Sequence, residues 1–143
     1  MKSAIVIVTS LITSFYLLSF AGEPSNISVT ERNKAKIVSR LYQATFGSIE
    51  RCQKATPDAA KEFENELHRF VDLNANLVNL VTQSPHYNDA RKKFSHHETM
   101  DPARDNPESL AGECKYLALL LRSMNDSPDG KNAVKEYEAQ LSE

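Results

Sequence analysis

The sequence predicts an all-α fold: an up-and-down bundle of four to five helices, behind an N-terminal signal peptide and closed by one disulfide. Three observations predict it. Apolar residues recur at three- and four-residue steps through long segments, and no segment alternates with period two over a useful length. Four dipeptides, Thr56-Pro57, Ser84-Pro85, Asn106-Pro107 and Ser127-Pro128, pair a capping side chain with a proline. Two cysteines, Cys52 and Cys114, stand 62 residues apart behind a leader that directs export.

The leader comes first. Met1-Lys2 supplies one positive charge, and Ala4 to Ala21 carries none. Ser19-Phe20-Ala21 then places small residues before a cut at Gly22. A basic start, an apolar run and a small-x-small end make a secretory signal peptide over residues 1–21. The competing reading is an uncut membrane anchor, because an uncharged run of about 18 residues approaches bilayer-spanning length. The Ser and Thr content of the run and the Gly22-Glu23-Pro24 break favour cleavage. The processed chain is then secreted or periplasmic, with no stable membrane insertion. Residues 22–27 read as a flexible tail, and 28–143 as a single helical domain.

The helices follow in order. The first spans about Val29 to Lys54, with Val38, Leu41, Tyr42, Thr45, Ile49 and Cys52 on one face. The second starts at Pro57 and runs to about Gln83. Its stripe is Ala60, Phe63, Leu67, Phe70, Asn74, Leu77 and Val81, a period near that of an α-helix. The third is short, from Pro85 to about His96. The fourth, Pro107 to about Met124, has Leu110, Cys114, Leu117, Ala118 and Leu121 on its face. The fifth, Pro128 to about Ser142, offers Val134, Tyr137 and Leu141. Each cap-proline pair marks a helix start, since the capping oxygen satisfies a first-turn N–H and proline has none to lose there. Short connections predict antiparallel neighbours.

In an oxidising compartment Cys52 and Cys114 are expected to pair. Both lie on apolar stripes, so the bridge joins the end of the first helix to the fourth.

Composition narrows the functions. Lys and Arg number 17 against 19 Asp and Glu, a formal net charge of −2. That balance gives no electrostatic case for nucleic acid, and the Arg91-Lys92-Lys93 triplet is too short for a patch. Four glycines leave no glycine-rich phosphate cradle. No nucleophile with an identifiable base is present, so the chain reads as no enzyme, and no cofactor is predicted.

Candidate ligating groups do occur. His96, His97 and Met100, with Glu98 and Asp101, gather imidazole, carboxylate and thioether groups that can hold copper, zinc or nickel. The plainer reading is a solvated helix end whose histidines suit the helix dipole. His68 and Met124 are a conceivable axial haem pair. Asn74, inside an apolar stripe, is either a polar contact for a ligand or a core amide that sets helix register. Glu62, Glu64, Glu66, Lys61 and Arg69 read as an ordinary solvated face.

The function expected is therefore that of an exported small helical protein that binds another protein without catalysis. It requires an exposed apolar or aromatic patch. One alternative is a periplasmic metal- or haem-binding bundle. Another is a carrier of an apolar small molecule, which needs a pocket of about several hundred Å³.

Overall fold

The structure is a computed structural model and describes residues 29–95 and 105–143. The expected signal peptide and tail lie outside those residues. Among the described residues all the regular structure is helical, with no strand. They form seven α-helices rather than four to five: α1 (Val29–Ala44), α2 (Ile49–Gln53), α3 (Pro57–Leu73), α4 (Ala75–Gln83), α5 (Tyr87–Ser95), α6 (Pro107–Asp126) and α7 (Pro128–Ser142).

The larger number comes from two breaks in segments expected to be continuous. The first helix stops at Ala44, and a 3₁₀ turn over Phe46–Ser48 separates it from α2. Thr45 Oγ1 donates to the Leu41 carbonyl at 2.6 Å, and Ser48 Oγ donates to the Gln43 carbonyl at 2.6 Å. Hydroxyls that take backbone carbonyls in this way compete with the helix ladder. Gly47 sits at the turn against the Tyr42 ring, where a Cβ would come within 2.8 Å of Cε1. The second break is at Asn74, between α3 and α4, with φ −120° and ψ 37°. Its side-chain amide donates to the Phe70 carbonyl at 3.1 Å, again drawing on a ladder acceptor.

Three of the four cap-proline pairs behave as expected. Pro57, Pro107 and Pro128 open α3, α6 and α7. Asn106 and Ser127 accept from the backbone N–H of Ser109 and Gly130, whereas Thr56 makes no such bond. Ser84-Pro85 differs: it forms a turn, Ser84 Oγ accepts from His86 N–H, and α5 begins at Tyr87.

The core gathers the predicted stripes. Val38, Leu41, Phe63, Phe70, Leu77, Leu117 and Leu121 are buried together. On α3 the buried alanine is Ala59, not Ala60. The widest interface joins α3 to α6, and others join α6 to α7 and α1 to α5. Contacts between Glu62 and Arg122, and between Arg69 and Asp126, advance together along α3 and α6. These two helices thus run in the same sense. So do α1 and α5, where Glu31 meets His86 and Tyr42 meets Phe94. Two of the three widest interfaces thus join alternate rods running alike, and the third joins the consecutive helices α6 and α7.

Cys52 and Cys114 are bonded, with Cα atoms 5.6 Å apart. Both are buried, so the bridge fastens α2 to α6 inside the core. Beside it Arg51 pairs with Asp105 at 3.0 Å and with Glu113 at 2.8 Å.

Candidate interaction face

α6 makes the widest interface of the fold, with α3, and it carries apolar residues in two directions. Its inner face, Leu110, Cys114, Leu117, Ala118 and Leu121, is buried against α2, α3 and α7. Its outer face bears Tyr116, 66% exposed, Leu119, 57%, and Leu120, 37%. At about 100° per residue, Gly112, Tyr116, Leu119 and Ser123 fall within a sector of about 60°, with Leu120 on its margin. Nothing stands within 4 Å of the place a Gly112 Cβ would take. A smooth strip of small and apolar groups therefore faces away from the core.

Charged pairs flank the strip. On one side Glu113 holds Arg51. On the other, Arg122 donates from Nη2 to Glu62 at 3.1 Å and from Nε to Glu66 at 3.0 Å. Glu66, buried, also accepts from Arg69 at 2.8 Å, and Arg69 reaches Asp126 at 2.8 Å. The residues Glu62, Glu66 and Arg69, expected to form a solvated face, are thus part of a ladder that ties α3 to α6. Arg122 and Asp126 lie 56 to 60 residues away along the chain, so the sequence pattern of α3 alone could not reveal it.

The ladder has a pH signature. The Arg69 guanidinium, hydrogen-bonded to Asp126, holds that carboxyl below its ordinary value. His86, hydrogen-bonded to Glu31, does the same at the start of α1. A depressed carboxylate pKa contributes stability that is present above the unfolded value and is lost as pH falls through the folded one. Urea midpoints are expected to fall on acidification through the carboxylate range, and Asp126→Asn is expected to flatten part of that fall. A variant as acid-sensitive as the parent would remove Asp126 from the account.

Asn74 lies at the α3–α4 joint. Its amide donates to Phe70 O and, at 3.2 Å, to Asn125 Oδ1. Asn125 is buried and donates in turn to the Glu66 carbonyl. These bonds engage the Asn74 amide in joining α3 to α6. It also borders an open hollow of about 560 Å³ with Arg69, Lys131 and Glu138.

The other candidates are not brought together. His68 is exposed on α3, while Met124 is buried in the core. They do not face each other as axial ligands would. His96, His97 and Met100 lie outside the described residues. Among the described residues, no three His, Cys, Asp or Glu side chains are grouped to hold a metal. A void in the core, between Leu41, Phe70, Leu77 and Val81, measures about 10 Å³. That is no more than one water molecule needs, far below a small-molecule pocket. Among the described residues, no helix is long and apolar enough to cross a membrane.

The outer face of α6 was missed in the sequence, although its signal was there. Tyr116, Leu119 and Leu120 fall off the stripe that Leu110, Cys114, Leu117 and Leu121 define. In a run as apolar as LALLL, residue type alone does not separate the covered side from the open one. Compared with protein-family models, curated proteins and solved structures, the chain matches none of them.

Proposed function

We propose that this chain is an exported, non-enzymatic interaction protein that docks a protein partner on the outer face of α6. The observation that carries the reading is the strip of Tyr116, Leu119 and Leu120, exposed on α6. Contiguous exposed apolar groups rimmed by charge mark interaction surfaces. Tyrosine at the centre suits a binding hot spot, since it buries a large ring and keeps a polar tip. Rigidity supports it too: α6 is held by a disulfide at one end and by the charged ladder further along, so little order is lost on docking. The disulfide between Cys52 and Cys114 supports export, because such bridges persist in oxidising compartments.

The test is capture from the native host. Tagged parent and a Leu119→Glu variant are cross-linked in place, purified and compared by mass spectrometry. A charge at a solvent-facing site leaves the melting temperature nearly unchanged, since surface changes act within about 0.5 kcal/mol. The partner enriched with the parent is expected to be lost with the variant. Identical partners on both would end this reading.

A further inference from the structure

The cleft between α1 and α5 carries cations that the fold leaves largely without carboxylate partners, although Lys93 also lies over the Phe94 ring, 5.8 Å from its centroid. α1 bears Arg32, Lys34, Lys36 and Arg40 against Glu31, and α5 bears Arg91, Lys92 and Lys93 against Asp89. Seven of the 17 Lys and Arg lie on these two helices, although the chain as a whole is net negative. Arg32, Lys36 and Arg40 stand four residues apart, one above another along the helix, with Cβ atoms about 6 Å apart. All three are exposed. Lys34 pairs with Glu31. Among the described residues Arg32, Lys36, Arg40 and Lys93 form no ion pair. Like charges stacked at this spacing cost a helix a few tenths of a kcal/mol each. They lower the stability of α1 and gain nothing inside the fold.

The cleft they border measures about 490 Å³. Its floor is made of small residues, Ala35 and Ser39 from α1 and buried Ala90 from α5. His86 stands at one end and Phe94 at the other. Small residues on two adjacent helices let a third helix approach closely, at about 8–10 Å between axes. The cationic row then meets carboxylates of the same repeat, which a helix with Glu at every fourth position supplies.

We propose that the α1–α5 cleft binds an acidic amphipathic helix of a protein partner, its carboxylates on Arg32, Lys36, Arg40 and Lys93 and its small apolar face on Ala35, Ser39 and Ala90. The occupant is a protein helix and not single-stranded nucleic acid, because the aromatic ring in the cleft, Phe94, is already stacked on Tyr42 at 6.0 Å. It is not a lipid surface either, because the apolar floor is recessed below the cations, where bilayer insertion needs apolar groups that project. This site stands apart from the α6 face and does not depend on it.

The test is fluorescence anisotropy with the oxidised, processed chain. The probe is a labelled helical peptide of about four turns, with Glu at every fourth position on an alanine background. Binding is expected at low salt and should weaken steeply as salt rises and the Debye length shrinks. Arg32→Glu with Arg40→Glu is expected to reduce affinity by at least about tenfold. Lys131→Glu with Lys135→Glu, the same change of net charge on α7, should leave it within about twofold. Circular dichroism confirms that both variants are folded. The proposal is overturned if the peptide does not bind, or if both charge-reversed variants bind it equally. It is also overturned if phosphatidylglycerol vesicles or single-stranded DNA bind the same arginines more tightly than the peptide.

Discussion

Replacing Cys52 and Cys114 together by alanine is expected to lower folding stability by about 4 kcal/mol. The figure follows from the loop the bridge closes. A link across 62 residues restricts the denatured chain, and the loop-closure entropy corresponds to roughly 4 kcal/mol. The folded state adds to the effect. Cys52 and Cys114 are both almost fully buried, so their sulfurs also fill core volume between α2 and α6. Removing those atoms leaves a void as well as a freed loop. A loss of this size corresponds to a drop in melting temperature of roughly 10–20 °C for a domain of this size. Urea denaturation of parent and variant, each with and without reductant, checks it. The parent should lose the loop-closure share of that stability on reduction, while the variant, which also lacks the sulfur atoms, should be unchanged by reductant. A difference below about 1 kcal/mol would mean that the bridge hardly restricts the unfolded chain.

Gly130→Ala is expected to destabilise by about 2–3 kcal/mol, against the direction that helix propensity alone gives. In an unhindered helix, alanine improves on glycine by about 1 kcal/mol. Gly130 lies in the first turn of α7, where it is buried and donates its N–H to Ser127 Oγ at 3.0 Å. Its backbone has no positive φ, so no special conformation requires glycine. What requires it is space. A Cβ there would overlap the Ser123 carbonyl and stand 2.6 Å from Met124 Cα. Both obstacles are backbone of α6, which cannot swing aside as a side chain does. The helices must separate, and overpacking of this kind typically costs 1–3 kcal/mol, about the upper end here. Gly112→Ala is the internal control. It is also helical, it is exposed, and open space surrounds its Cβ position. There the same change should stabilise by about 0.5–1 kcal/mol. Opposite signs at the two glycines, read from urea midpoints, are the expected result. Equal signs would show that α7 does not pack on α6 as closely as the structure has it.

These two glycines also mark how far the sequence could be read. Gly47, Gly112 and Gly130 look alike in the chain, and counting them excluded a phosphate cradle and nothing more. Their separate roles depend on what lies opposite. For Gly130 that is a carbonyl in the preceding helix. For Gly47 it is the Tyr42 ring. The same holds for Glu66. Its three- and four-residue neighbours suggested a mixed-charge face, while the arginine that makes it part of a ladder belongs to α6. The Arg91-Lys92-Lys93 triplet was too short to matter alone. It gains meaning beside the row Arg32, Lys36 and Arg40, which lies on a different helix.

The sequence by itself determined the helical class, most of the buried stripe residues and the cysteine pairing. Those features are local or forced. A helix turn repeats every 3.6 residues whatever surrounds it, proline and a capping oxygen act within one turn, and two cysteines allow one intramolecular pair. Only the tertiary structure decided where α1 ends, where Asn74 divides α3 from α4, which side of α6 stays uncovered, and which cations share the α1–α5 cleft. Each of these depends on groups far apart in the chain that meet only after packing, and a periodic pattern contains no information about which distant face it will meet.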